Sequence, residues 1–300
     1  MRRSDLCPPA ASWAEGAHTF PPARHQVEVS GTTISYRSWG TGRRTPLVLL
    51  HGSGANSAWW DHLAPILAIE RRVVALDLSG HGDSDRRNRY GYEMWSREVA
   101  AVVRHARFEL RPAIVGHSFG GGVALRTLQR FPDLFVSLTT VDSPLRVMSV
   151  PSWQQKRDRS LRPLKVYPRR VDALRAFHTV PAQPVCDDLL RHVAEESVRA
   201  VAGGWSWKFD PKVFDRPQFD PACLEPVSVP VTVIRAEHGS MSPSMSRSIA
   251  QILGPHVREI EIRCAHHHVM FDQPAALLAA LEEVTQDLDH ALNRWRRTRA

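Results

Sequence analysis

From residue 25 the chain alternates apolar and polar positions through HQVEVSGTTISYRSWG, and the break at Ser30-Gly31 predicts a β-hairpin. The next apolar stretch, TPLVLLHG, does not alternate. A continuous run ending at glycine predicts a strand covered on both faces. SAWWDHLAPILA then reads as a helix, and RRVVALDLSGHGDSD as a second buried strand with a glycine-rich turn. YEMWSREVAAVVRHA places apolar residues at helical spacing, PAIVGHSFGGGVALRTLQRFP reads strand, tight turn and helix, and FVSLTTVDSP is a sixth strand. After residue 145 the alternation of strand and helix breaks into prolines, tryptophans and short helical patches. It resumes with PVTVIRAEHG, a helix from about Ser244, the strand VREIEIRC and a long terminal helix, PAALLAALEEVTQDLDHALNRW.

Strands alternating with helices imply an α/β fold with a mostly parallel sheet flanked by helices. The break implies a helical cap inserted after the sixth strand. The expected organisation is a poorly ordered leader over residues 1–25, a core over 26–144, the cap over 145–226 and the rest of the core over 227–300.

Composition narrows the class. At 300 residues, with 43% hydrophobic and 23% charged positions, the chain can bury one large core. The formal charge is +8, yet only four of the 39 basic residues are lysines, and the arginines are scattered. Neither a basic element with stacking aromatics nor a nucleic-acid module is present, so a nucleic-acid partner is not expected. The four cysteines form no C-x-x-C pair and suggest neither zinc nor a disulfide framework. No apolar run reaches a membrane span, and the N-terminus lacks the apolar core of a signal peptide. A cytoplasmic protein, monomer or homodimer, acting on a small molecule without cofactor is the expectation.

The chemistry centres on GHSFG, Gly116 to Gly120, between a predicted strand and helix. There the glycines allow a turn so sharp that the Ser118 hydroxyl stands clear at the end of the sheet. Serine needs a base, and HHHVMFDQP offers histidines after the last strand. Three histidines in a row also raise a metal site; on extended backbone they would point to opposite faces, and no carboxylate pattern completes one, so no metal is expected.

HGSGANSAWW, DLSGHGDSD, GHSFGGG and HHHVMFDQP occur in an order and spacing that resemble the α/β-hydrolase superfamily over roughly residues 27 to 290. The resemblance implies Ser118 as nucleophile and His267 as base, with His268 a rival because His266 stands where the family usually has glycine. It implies an oxyanion hole from the backbone N–H groups of Ser53 and Phe119, and turn-shaping roles for His51 and His117. The usual acid position after the strand PVTVIRAEHG holds Gly239 in place of aspartate. Asp142, at the end of the sixth strand, and Glu237 are the candidates that remain, beside the possibility of no working acid. Trp59 and Trp60 are expected as pocket walls, and Trp153, Trp205, Trp207, Phe209 and Phe214 line the pocket or pack the cap itself. A serine at the elbow implies hydrolysis of a small hydrophobic carboxylic ester. Carbon–carbon bond hydrolysis, lactone opening, perhydrolysis and a non-catalytic ligand receptor on the same fold stay open.

Overall fold

The computed structural model describes residues 20–297. Most of the expected leader lies outside the described residues, but its end does not: β1 (Ala23–Glu28) pairs antiparallel with the start of β2 (Thr33–Leu50). Ser30 and Gly31 turn this hairpin at φ of 52° and 70°, the left-handed backbone that a two-residue hairpin turn requires.

β2 joins two runs that the sequence reading separates. Residues 36–39 register in reverse order with 76–73 of β3 (Arg71–Leu76), and residues 47–50 register in the same order with 73–76. β3 therefore lies between two arms of one strand. The SAWWDHLAPILA segment before it makes only a 3-10 turn at Ser57–Trp60 and a short α1 (Ala64–Leu67), because Pro65 suits a helix start and no longer periodic stretch follows.

Beyond β3 come α2 (Tyr92–Ala106), β4 (Ala113–His117), α3 (Phe119–Arg130) and β5 (Ser137–Val141). The second part adds β8 (Val231–His238), α7 (Pro243–Leu253), β9 (Val257–His266), α8 (Val269–Asp272) and α9 (Pro274–Arg297). The sheet runs β1-β2-β4-β5-β8-β9 with β3 beside β2, and from β2 to β9 this path is parallel. Alternate residues of the central strands enter two different cores. Val48, Leu50, Val74, Leu76 and Ile114 pack with Trp95, Val99 and Val123 of α2 and α3. Leu47, Leu49, Val73, Ala75, Ala113 and Val115 pack with Trp60, Leu63, Leu277 and Leu281. That two-sided burial is why these strands read as continuous apolar runs.

Between β5 and β8 lie α4 (Val150–Ser160), α5 (Arg170–Ala176) and α6 (Asp187–Ser197). A hairpin of β6 (Val198–Val201) and β7 (Gly204–Trp207) accompanies these helices. The sequence reading expects only helical patches there; four-residue arms are too short for alternation to stand out. α6 is tied to the core by charge. Arg37 Nη1 donates to Asp61 at 2.6 Å, its Nη2 donates to Glu196 of α6, and His192 of α6 lies 2.9 Å from the same Asp61. Among the described residues no helix is long and apolar enough to cross a membrane.

Candidate active site

The carboxyl ends of β4, β5 and β8 meet at one place, the usual location of ligand sites in parallel sheets. Ser118 sits between β4 and α3 at φ 54°, ψ −120°. Non-glycine residues seldom adopt that backbone, and its strain is held by packing on both sides. A side chain at Gly116 would put its Cβ 2.3 Å from the carbonyl oxygen of Gly120, and one at Gly120 would meet the carbonyl of His51 at 2.5 Å. The elbow therefore accepts only glycine at these two flanks. Ser118 N–H donates to Val141 of β5 at 2.9 Å, which locks the turn against the neighbouring strand.

His267 follows β9 and is buried beside the elbow; its Nδ1–H donates to Asp142 Oδ2 at 2.7 Å. Asp142 is fully buried and also stands at positive φ, 41°, a backbone that aspartate tolerates better than most residues. Its carboxylate accepts N–H bonds from Ser240 at 2.7 Å, Met241 at 3.3 Å and Ala236 at 3.4 Å. The end of β8 thus supplies the cradle while the end of β5 supplies the carboxylate. Gly239 explains the arrangement: a Cβ there would lie 2.3 Å from Asp142 Oδ1. The residue that looked like a missing aspartate leaves the space that the carboxylate of Asp142 fills.

Glu237 is elsewhere. It is exposed, and its Oε2 accepts the backbone N–H of Cys264 at 2.7 Å, a bond that holds its carboxyl below the usual range. Of the two acid candidates, the structure brings only Asp142 to His267.

The other histidines divide by role. His51 donates from Nδ1 to Gly52 at 2.7 Å and accepts the N–H of Leu78 at Nε2, 3.1 Å, tying the loop after β2 to the turn after β3. His117 Nε2–H donates to the carbonyl of His267 at 2.9 Å. Burial lowers the pKa of both rings, so both are neutral spacers. His266 turns its Nδ1 to Asp272 at 2.8 Å. His268, the rival base, is buried without a carboxylate partner among the described residues, and burial pushes its pKa down to about 3. Its backbone is clamped by Gln183, whose Oε1 accepts its N–H at 2.8 Å and whose Nε2 donates to its carbonyl at 3.1 Å. Extended backbone ends at His266, so His267 and His268 do not point to opposite faces as expected. One ring nitrogen from each of His117, His267 and His268 lies within 4.8 Å of the others, a set chemically able to hold a transition-metal ion.

Two cavities open on Ser118. A smaller one, about 180 Å³, has Ser53, Ser118 and Phe119 in its wall. A larger one, about 720 Å³, is lined by Ser53, Ser118, His267, His268 and Trp59. Phe119 begins α3, so its N–H has no acceptor within the helix and lies beside Ser118 with the positive end of the helix. Trp59 stands at the wall, edge-on to His268 at 5.1 Å. Trp60 does not. It is fully buried in the core with Leu63, because neighbours on a 3-10 turn diverge by about 120°. Trp153 lines the smaller cavity, Trp207 and Phe209 the larger, and Phe214 both. Trp205 instead faces the guanidinium of Arg170 at 5.8 Å.

The sequence model of the α/β-hydrolase fold family matches residues 45–274, a span that contains the elbow, Asp142 and His267. The chain belongs to the α/β-hydrolase family. It is 29% identical over 286 residues to the esterase Rv0045c of Mycobacterium tuberculosis, covering 90% of this chain and 92% of that protein. The crystal structure of that esterase superposes with a TM-score of 0.71 at 25% identity over 95% of this chain and 98% of its own. E-2-(acetamidomethylene)succinate hydrolase superposes with a TM-score of 0.76 at 20% identity, over 87% and 98% of the two chains. This hydrolase also holds site residues that sequence reasoning missed. Ser240 and Met241 carry no catalytic signature and act through backbone N–H groups, while Gln183 sits in a segment without periodicity. Arg146 and Arg216 in the cavity walls are inconspicuous in so arginine-rich a chain.

Proposed function

We propose that this hydrolase cleaves carboxylic esters through an acyl-enzyme, with Ser118 as nucleophile, His267 as base and then acid, and Asp142 as the group that orients His267. The observation that carries the reading is the 2.7 Å bond from His267 Nδ1–H to a buried carboxylate that has three backbone donors of its own. That bond fixes the tautomer and leaves Nε2 with a lone pair on the cavity that Ser118 lines. In the first half-reaction the Ser118 hydroxyl proton passes to Nε2 as Oγ bonds to the acyl carbon. Collapse of the tetrahedral intermediate expels the alcohol, which takes the proton from His267. Water then repeats the sequence on the acyl-enzyme, releasing the acid and restoring Ser118.

The N–H groups of Ser53 and Phe119 would hold the oxyanion, each lowering the barrier by about 2.7–4 kcal/mol. Trp59, Phe209 and Phe214 offer apolar wall for the substrate. The kinship with an esterase of M. tuberculosis supports the same chemistry. A metal ion on the three histidines would occupy His267 and exclude its use as base; the bond to Asp142 favours the base.

The test is hydrolysis of p-nitrophenyl acetate and butyrate, with a fluorophosphonate to trap the nucleophile. Wild type is expected to turn over and to carry the phosphonate on Ser118. Ser118→Ala is expected to lose about 10⁴-fold or more in kcat and all labelling. Ligand-induced thermal shifts without Ser118-dependent turnover would replace this reading with a receptor.

A further inference from the structure

Both cavities at Ser118 are walled by cations. Arg146 belongs to both, Arg157 and Arg216 to the smaller, and Arg162, Lys165 and Lys208 to the larger. Neither wall contains an aspartate or glutamate among the described residues. The chain has 39 basic and 31 acidic residues, so an even sample of its surface would bring carboxylates too. Two of the six cations are neutralised from outside the wall, Lys208 by Asp83 at 2.6 Å and Arg157 by Asp215 at 2.5 Å. Arg146, Arg162, Lys165 and Arg216 have no carboxylate partner among the described residues.

Arg216 is the best placed of these. It is half-buried, and its guanidinium lies over the ring of Phe119 at 4.3 Å, on the residue that follows Ser118. Nη1 donates to the carbonyl of Val213 at 2.7 Å, which anchors one arm of the fork of a residue that lines the smaller cavity. A stacked guanidinium keeps its charge and presents in-plane donors whose spacing matches a carboxylate. Partial removal from water makes an unpartnered charge costly there, so the position favours an anionic partner arriving with the substrate.

We propose that the substrate carries a carboxylate in addition to its scissile ester, and that Arg216, with Arg146, binds it. This rests on the reading of Ser118 as the nucleophile, and it turns the expectation of a wholly hydrophobic ester into one for a half-ester with an apolar chain. The anion sits beside the nucleophile without an acidic wall to repel it. Arg216 acts by binding the substrate and takes no part in proton transfer.

The experiment compares kcat/KM for monomethyl glutarate, an anion, with dimethyl glutarate, its neutral twin, on the full chain at low and high NaCl. Wild type is expected to favour the anion by about tenfold or more at low salt, mainly through KM, with the preference shrinking at high salt. Arg216→Gln is expected to bring the ratio toward unity, and Arg216→Lys to restore part of it. Preference for the neutral diester by wild type, or a ratio unmoved by both Arg216→Gln and Arg146→Gln, would overturn the proposal. If no ester is turned over in a Ser118-dependent way, the hydrolytic reading fails by itself. Calorimetric binding of glutarate to Ser118→Ala then decides the carboxylate site by itself: binding lost in the Ser118→Ala/Arg216→Gln double variant upholds Arg216 as its holder, and no binding, or binding unchanged in the double variant, sinks it.

Discussion

The floor of the cavity, at the ends of β4, β5 and β8, is held by backbone, whereas the segment above it, between β5 and β8, meets the floor largely through side chains. Ser118 and Asp142 both stand at positive φ, and both are fixed by main-chain hydrogen bonds from neighbouring strands. α6 is fixed through the side chains of Arg37, Asp61, His192 and Glu196, a network of hydrogen bonds and Arg–carboxylate pairs. Backbone bonds set atoms to a fraction of an ångström, which proton transfer needs. Side-chain networks tolerate rearrangement, which admitting a substrate needs. On the proposed mechanism, the difference assigns rate to the floor and affinity to the roof, and each variant below tests that division.

The largest effect is expected at Asp142. Asp142→Asn should lower kcat on p-nitrophenyl butyrate by about 10⁴-fold, as the amide would favour the wrong tautomer of His267. Glu237→Gln, which removes only the charge from a surface acceptor of the Cys264 N–H, should leave kcat near that of wild type. Equal losses in the two variants would remove the distinction between the strand ends. A sharper version moves the acid. In Asp142→Gly/Gly239→Asp the new carboxylate grows from β8 into the volume vacated by the old one, and about tenfold recovery over Asp142→Gly is expected. No recovery would mean that the cradle of Ser240 and Met241 N–H groups serves β5 alone.

A subtler change to the floor should cost less. Gly239→Ala places a Cβ against Asp142 Oδ1 in space that neither strand can yield. Displacing the carboxylate by about an ångström is expected to cut kcat about 10²-fold with KM little changed. A change in KM alone would shift Gly239 from the floor's account to the roof's.

These expectations also show what the sequence could carry. The β4–elbow–α3 unit was legible because apolar runs, two glycines and a serine lie within a few residues of one another, and local sterics leave them one arrangement. Asp142 was legible only as one of two candidates. The adjacency of β5 and β8 that separates it from Glu237 joins residues more than ninety apart, and no local pattern encodes it. Gly239 shows the same limit from the other side: its meaning depends on a side chain from another strand. Trp59 and Trp60 are alike in sequence and part company because neighbours on any helical turn diverge by about 100–120°, and which of the two faces the cavity depends on how that turn docks on the sheet. Arg216 was invisible for a different reason. Among so many arginines, only its seat over Phe119 sets it apart.

The smallest effect expected is at the roof's anchor, and its pH dependence tells an ion pair from simple packing. Burial alone would raise the pKa of Glu196, but the guanidinium groups of Arg37 and Arg24 outweigh it and bring the carboxyl from 4.5 down to about 2. A carboxyl whose folded pKa is depressed stabilises the fold fully above its unfolded value and loses that contribution as pH falls through the folded one. The contribution of Glu196 is therefore complete above about pH 4.5 and gone near pH 2. Glu196→Gln keeps the shape and removes the charge. At neutral pH it should lower Tm by about 4 °C and raise KM more than it lowers kcat, because α6 loosens over an intact floor. On acidification from pH 4.5 the Tm gap to wild type should narrow and close near pH 2. A gap of constant size would assign Glu196 to packing, and a loss in kcat larger than the change in KM would show that roof and floor are coupled.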